Sequence, residues 1–167
     1  MTNQVESALK ALEDAKCLEQ EGQDFYQRAA QRTGSETGKE VFLSLVRDEV
    51  THQRLIQRQI DQLSSEGKWA ELPEGGMETC DLNEDIFPQG RQGLEKAVQA
   101  DTTEAEALIV ALEFETKGYD LYRREAKAAT DPLARAMYEF LATQERMHFD
   151  LLMANYEAMV HYGGWAD

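Results

Sequence analysis

Glu49-Val50-Thr51-His52 and Glu145-Arg146-Met147-His148 are the two stretches whose reading decides how this chain folds. Each sets a carboxylate and an imidazole three residues apart, a spacing that brings both side chains to one face of a helix. The chain has three histidines, and two of them follow a glutamate at this spacing, although only 21 of the 167 residues are glutamate. A shift of 96 residues lays Glu49 on Glu145 and His52 on His148 together. The same shift pairs Ala15 with Ala111, Glu19 with Glu115, Gly22 with Gly118, Asp24 with Asp120, Tyr26 with Tyr122, Arg28 with Arg124, Ala30 with Ala126, Leu45 with Leu141 and Leu55 with Leu151. Eleven identities in the 41 positions from 15 to 55, where chance gives about three, mark an internal duplication.

Outward from these motifs, the apolar residues recur at steps of three and four. Val5, Ala8, Leu12, Ala15, Leu18, Phe25 and Ala29 predict a first helix over about 5–32. Val41, Leu45, Val46, Ile56, Ile60 and Leu63 predict a second over about 37–64, with Thr37 and Glu40 at the spacing of a capping box. The third is expected over 103–129, opened by a Thr103–Glu106 capping box. The fourth is expected over 132–160, with Asp131 as N-cap and Pro132 in its first turn. The last residues, from His161 on, are expected to be a frayed or docked end.

Between the second and third helices, residues 65–102 lose the period, and Gly67, Pro73, Gly75, Gly76, Pro88, Gly90 and Gly93 mark turns, with a short helical turn expected near Leu94 to Gln99. A helix of 26 residues is roughly 40 Å long, so this stretch can cross from one end of a bundle to the other. The expectation is one all-α domain over 1–167. It is a four-helix bundle made of two repeated helical hairpins joined by a long crossover.

Composition narrows the function. A formal net charge of −15 repels nucleic acid and anionic membranes. No apolar run reaches the length of a membrane span or a signal core, and Cys17 and Cys80 lack metal-type spacing, so a cytoplasmic protein is expected. His161 lacks a companion glutamate and reads as a tail residue, while Cys17 reads as an ordinary helix residue.

The duplication also selects the carboxylates that accompany each Glu-x-x-His. Glu21 falls on Lys117 and Glu113 on Cys17, whereas Glu19 falls on Glu115, in each half 30 residues before the glutamate of the motif. Leu12, Ala15, Gly22 and Tyr26 share a helix face with Glu19, and Leu108, Ala111, Gly118 and Tyr122 repeat this around Glu115, so both glutamates are expected to point inward. Four glutamates and two histidines in an apolar bundle repel one another and lack counterions. Two divalent cations remove the conflict, and a mixed oxygen and nitrogen set without thiolate suits iron or manganese better than structural zinc. One glutamate from each of two helices plus Glu-x-x-His from the other two is the ligand pattern of di-iron bundles. Tyr26 and Tyr122 are expected to be core tyrosines that use a ligand carboxylate as partner. Asp24 and Asp120 read first as solvent-exposed residues, with a role as acceptors for the far nitrogens of the histidines as the alternative.

The strings CLEQEGQDFYQRAA and VRDEVTHQRL, answered by ALEFETKGYDLYRREA and ATQERMHFDLL, resemble the rubrerythrin branch of the ferritin-like superfamily across all four helices. The resemblance implies a ferritin-like fold and two iron ions held by Glu19, Glu49, His52, Glu115, Glu145 and His148, with Glu49 and Glu145 bridging. It implies an oxidoreductase that uses hydrogen peroxide or dioxygen and an electron donor the sequence does not name. The alternatives are a ferroxidase that handles or stores iron, and a metal-stabilised structural protein. Two features of rubrerythrin proper are missing from these residues: the paired Cys-x-x-Cys motifs of a rubredoxin module, and an extra glutamate on the third helix, where Lys117 stands and Glu113 is the nearest substitute. The irregular crossover and the short stretch after the fourth helix point to a homodimer rather than a storage shell.

Overall fold

The computed structural model describes residues 3–72 and 102–166, and every described element is a helix or a turn. Helix α1 runs Asn3–Arg32, α2 Glu36–Glu66, α3 Thr102–Ala128 and α4 Pro132–Tyr162. Helices α1 and α2 pack along their length as one hairpin, α3 and α4 as the other, and α1 also lies against α3. The all-α four-helix bundle is as expected. The crossover from 73 to 101, including the Leu94–Gln99 turn, lies outside the described residues, as do the side chains of the Thr103–Glu106 box at Thr103.

The cap of α2 is Ser35 and not Thr37. The first intrahelical bond runs from the Lys39 amide to the Ser35 carbonyl at 2.9 Å, which leaves the Gly38 amide free for the Ser35 hydroxyl at 3.2 Å. The helix therefore starts at Glu36, and Thr37 is already inside it. Asp131 caps α4 as expected, accepting from the amides of Leu133 at 2.8 Å and Ala134 at 3.3 Å.

Both hairpins end alike. Gly67 and Gly163 close α2 and α4 with φ of 66° and 75°, a left-handed conformation that glycine adopts without a Cβ penalty. After each cap the chain folds back onto its helix. The Ala70 amide donates to Gln59 Oε1 at 2.8 Å, and the Ala166 amide donates to Asn155 Oδ1 at 3.2 Å. The tail is thus docked rather than frayed. Its Trp165 packs edge-on against Phe42, with ring centres 5.4 Å apart, and donates from Nε1 to Glu104 Oε2 at 3.1 Å. The other oxygen of Glu104 accepts from Thr33 and the Gly34 amide, so one carboxylate joins the α1–α2 turn, the start of α3 and the tail.

The apolar core forms two clusters. One centres on Phe42, Leu45, Leu108, Leu112, Leu152 and Met159, the other on Leu12, Ile56, Leu63, Met137, Tyr138 and Leu141. The polar side chains of the two Glu-x-x-His motifs lie between them.

Candidate metal centre

Glu19, Glu49, His52, Glu115, Glu145 and His148 are all buried, each with at most 4% of its surface exposed. The helical period brings them inward, and the apolar residues one turn away on each helix hold them there. His52 Nδ1 lies 3.1 Å from Glu19, 3.3 Å from Glu49 and 3.5 Å from Glu145. His148 Nδ1 lies 3.4 Å from Glu115 and 3.7 Å from Glu49. The two imidazoles stack with centres 5.5 Å apart.

Two groups of potential ligand atoms result, each with all atoms within 4.8 Å of one another: Glu19, Glu49, His52 and Glu145, and Glu49, Glu115, Glu145 and His148. Glu49 and Glu145 belong to both groups. Each group also takes a residue from the opposite hairpin, so neither hairpin supplies a complete set.

The tyrosines tie the halves together. Tyr26 of the first hairpin donates to Glu115 Oε1 of the second, and Tyr122 of the second donates to Glu19 Oε1 of the first. Burial, then the charge of the facing glutamates, pushes both phenols well above their ordinary range, so they stay protonated donors. Asp24 and Asp120 are exposed. Asp24 accepts from Gln20, and neither aspartate reaches an imidazole. The carboxylate that does is Asp48, with Oδ2 3.3 Å from His148 Nε2. Its repeat mate is Gln144, so the duplication gave no signal for it. Lys117 is exposed, with its ammonium 5.5 Å from the centre of the Phe114 ring, and adds no carboxylate to the cluster.

The buried carboxylates and imidazoles shift one another's protonation. Burial, followed by the charge of Glu145, holds Glu49 well above the carboxylate range, and burial followed by Glu115 does the same to Glu145. Burial works against the charged form of His52, but Glu145, Glu19 and Glu49 outweigh it and raise its pKa. Asp48 and Glu115 likewise outweigh burial at His148. Burial also opposes ionisation of Glu19, yet bonds from Glu49, His52 and Tyr122 keep it below the usual range. Burial among carboxylates thus favours the protonated form of both imidazoles and of the two shared glutamates.

The cluster fits a pair of cations. Glu115 Oε2, Glu145 Oε1 and His148 Nδ1 are buried with no well-formed hydrogen bond, their nearest polar contacts being imidazole–carboxylate approaches of 3.4–3.5 Å, although such groups are normally satisfied. Of the two repeat glycines, Gly118 keeps space for a shared carboxylate and Gly22 does not need to. A Cβ on Gly118 would lie 2.5 Å from Glu145 Oε2, and one on Gly22 would lie 3.8 Å from Glu49 Oε1.

A four-helix bundle with two overlapping carboxylate–histidine groups at its centre has the architecture of a ferritin-like protein with a candidate two-metal site. The sequence pattern of the rubrerythrin family matches residues 10–156, and the chain belongs to that family. In fold it is similar to a hypothetical protein from Pyrococcus furiosus, with 18% identity, a TM-score of 0.66, and coverage of 92% of this chain and 90% of that one. No curated protein matches it in sequence.

Proposed function

We propose that this protein is a di-iron oxidoreductase that reduces dioxygen or hydrogen peroxide. The observation that carries the reading is the sharing of Glu49 and Glu145 between two four-residue groups. In this reading Glu19, Glu49, His52 and Glu145 would hold one ion and Glu49, Glu115, Glu145 and His148 the other. Four carboxylates balance two doubly charged ions, and the oxygen-rich donor set favours iron, or manganese, over zinc. When bound, the iron pair supplies the electrons that reduce the oxidant. Tyr26 and Tyr122 fix the two outer carboxylates, and Asp48 turns His148 so that Nδ1 faces the site.

Access suits a small oxidant. A cleft between α1 and α3, lined by Leu18, Phe114, Gly22 and the four glutamates, has a volume of about 10 Å³. That is room for one water-sized molecule. Leu18 and Phe114 are themselves repeat mates, so the opening follows the pseudo-twofold relation of the hairpins. We further place the protein in the cytoplasm as a small oligomer, most simply a dimer.

Anaerobic titration with ferrous iron tests the reading. Two ions should bind per chain, and Glu49→Ala combined with Glu145→Ala should abolish binding. Loss should be far greater for Glu19→Ala and Glu115→Ala than for Glu21→Ala and Glu113→Ala. The loaded protein should then turn over peroxide or dioxygen with a reductant. Failure to bind iron sinks the reading, and a shell that accumulates hundreds of irons would replace it with storage.

A further inference from the structure

The 96-residue shift extends past the helices. It lays Gly67-Lys68-Trp69-Ala70 on Gly163-Gly164-Trp165-Ala166, and Phe42 on Tyr138. In space these residues make two equivalent aromatic files, each starting at a glutamate of the candidate centre. In one, Tyr26 donates to Glu115, stacks on Phe42 at 6.3 Å and 21°, and Phe42 meets Trp165 edge-on at 5.4 Å. In the other, Tyr122 donates to Glu19, stacks on Tyr138 at 6.3 Å and 24°, and Tyr138 meets Trp69 edge-on at 6.0 Å. Tyr122 and Tyr138 are buried, whereas Trp69 is half-buried. Trp69, Tyr138 and Glu125 line an open cleft of about 610 Å³ at that end of the bundle.

We propose that Tyr122, Tyr138 and Trp69 form an electron route between the metal centre and the surface, and that the equivalent file is broken at Phe42. Electron transfer falls steeply with distance, so a file of rings in near contact outruns a single long jump. Phenol and indole can each lose an electron to a strong oxidant, but the bare benzene ring of Phe42 cannot do so at a comparable potential. The two files share their geometry and differ in this middle ring.

The proposal rests on the di-iron reading, and dioxygen is the oxidant. Its reduction to two waters consumes four electrons and four protons. Two ferrous ions would supply two of the electrons and the route the other two, one at a time, with the four protons drawn from solvent. Two further electrons along the route would return the iron pair to the ferrous state. In each passage Tyr122 gives up an electron while its phenolic proton moves to Glu19 Oε1. An electron from Tyr138 restores Tyr122, and the proton returns from Glu19. Tyr138 gives its own proton to the Glu125 carboxylate or to water in the cleft, and recovers it when Trp69 supplies the next electron. Trp69 releases its Nε1 proton to solvent until a one-electron donor outside the protein reduces it.

Two measurements decide the matter. In metal-free protein carrying Trp165→Phe, one-electron oxidation by azide radical in pulse radiolysis should produce an indolyl radical at Trp69 that decays, independently of concentration, into a phenoxyl radical. Adding Tyr138→Phe should slow that decay. In ferrous-loaded protein exposed to dioxygen without reductant, peptide mapping should find oxidation at Trp69 and not at Trp165. Tyr138→Phe should remove the mark at Trp69, and Phe42→Tyr should create one at Trp165. Equal marking of both tryptophans, marking of Trp69 that survives Tyr138→Phe, or radical decay unchanged by Tyr138→Phe would each overturn the route. A protein that binds no iron refutes the di-iron reading, while the metal-free kinetics still rule on the route by themselves.

Discussion

Replacing Gly118 by alanine separates the packing of the centre from the stability of the bundle. The new Cβ would lie 2.5 Å from Glu145 Oε2, 2.9 Å from Cδ and 3.1 Å from Cγ, so the shared carboxylate must move. At the repeat mate Gly22, the nearest atoms are Glu49 Cδ and Oε1, both at 3.8 Å, which is ordinary contact. Each substitution gains about 1 kcal/mol of helix propensity. Gly22→Ala should keep that gain, whereas overpacking at Gly118 costs about 1–3 kcal/mol and cancels or reverses it. In the metal-free protein the end of Glu145 can swing away, which holds the cost to the low end of that range, near the propensity gain, so the melting temperature should stay close to the parent's. To bridge two ions it must return to the occupied space, and about 1–3 kcal/mol there weakens binding by roughly 5- to 150-fold. Thermal melts with a chelator, paired with anaerobic ferrous titration, provide the assay. Gly118→Ala that binds iron as tightly as the parent, or Gly22→Ala that loses as much affinity, would refute the packing argument.

Two other perturbations follow from the same geometry. The folded-state pKa values of His52 and His148 are raised, so in the metal-free protein their contribution to stability is full below about pH 6.5 and is lost as pH rises through the folded value. Glu49 and Glu145 have the same sign, their contribution being full below about pH 4.3, while Glu19 is lowered and contributes in the opposite sense, above that pH. Melts with chelator should therefore show greater stability near pH 6 than near pH 9, and iron should reverse the trend because binding displaces those protons; an unchanged slope with iron would count against the centre. At the tail, a Cβ on Gly38 would overlap the Trp165 indole, so Gly38→Ala should undock it and destabilise the protein by about 1–3 kcal/mol. Trp165→Ala should cost a similar amount, and the double variant should cost little more than either alone; simple additivity in chemical denaturation would show that the two do not act through one contact.

How far the sequence could be read depended on whether a feature left a local or a repeated trace. The six central residues were legible because Glu-x-x-His is a one-turn helical signal, and the 96-residue shift supplied the long-range pairing that periodicity alone cannot. At Asp24 and Asp120 the shift carried no information about the site, and the exposure favoured for both is what the structure has. Each is identical in both halves, but five residues beyond Glu19 or Glu115 is about 140° round the helix, which turns it outward. Asp48 was invisible because its mate is glutamine and its role depends on how α2 faces α4. Ser35 and Thr37 both carry a hydroxyl suited to an N-cap, and only the first backbone bond, from Lys39 to Ser35, decides between them. The Gly-x-Trp-Ala returns did leave a repeated trace, but one that lies beyond the 15–55 window from which the duplication was read.

The crosswise arrangement of the centre has an energetic consequence of its own. One group of ligands takes three residues from the first hairpin and Glu145 from the second; the other takes three from the second and Glu49 from the first. The hydrogen bonds of Tyr26 and Tyr122 also cross between hairpins. A cation in either group would therefore join the two hairpins, which are otherwise held by apolar packing, the bonds of Glu104 to Thr33 and Gly34, and the approach of Asp48 to His148. Binding that requires the assembled bundle stabilises it by about 2.7 kcal/mol per site at a hundredfold excess of metal over Kd. Without metal, the like-charged glutamates oppose the same assembly, a repulsion offset by the protons they and the imidazoles retain and by the tyrosine hydrogen bonds. The bundle should thus loosen first between hairpins rather than within them, and hydrogen exchange without metal should open the α1–α3 seam before either α1–α2 or α3–α4.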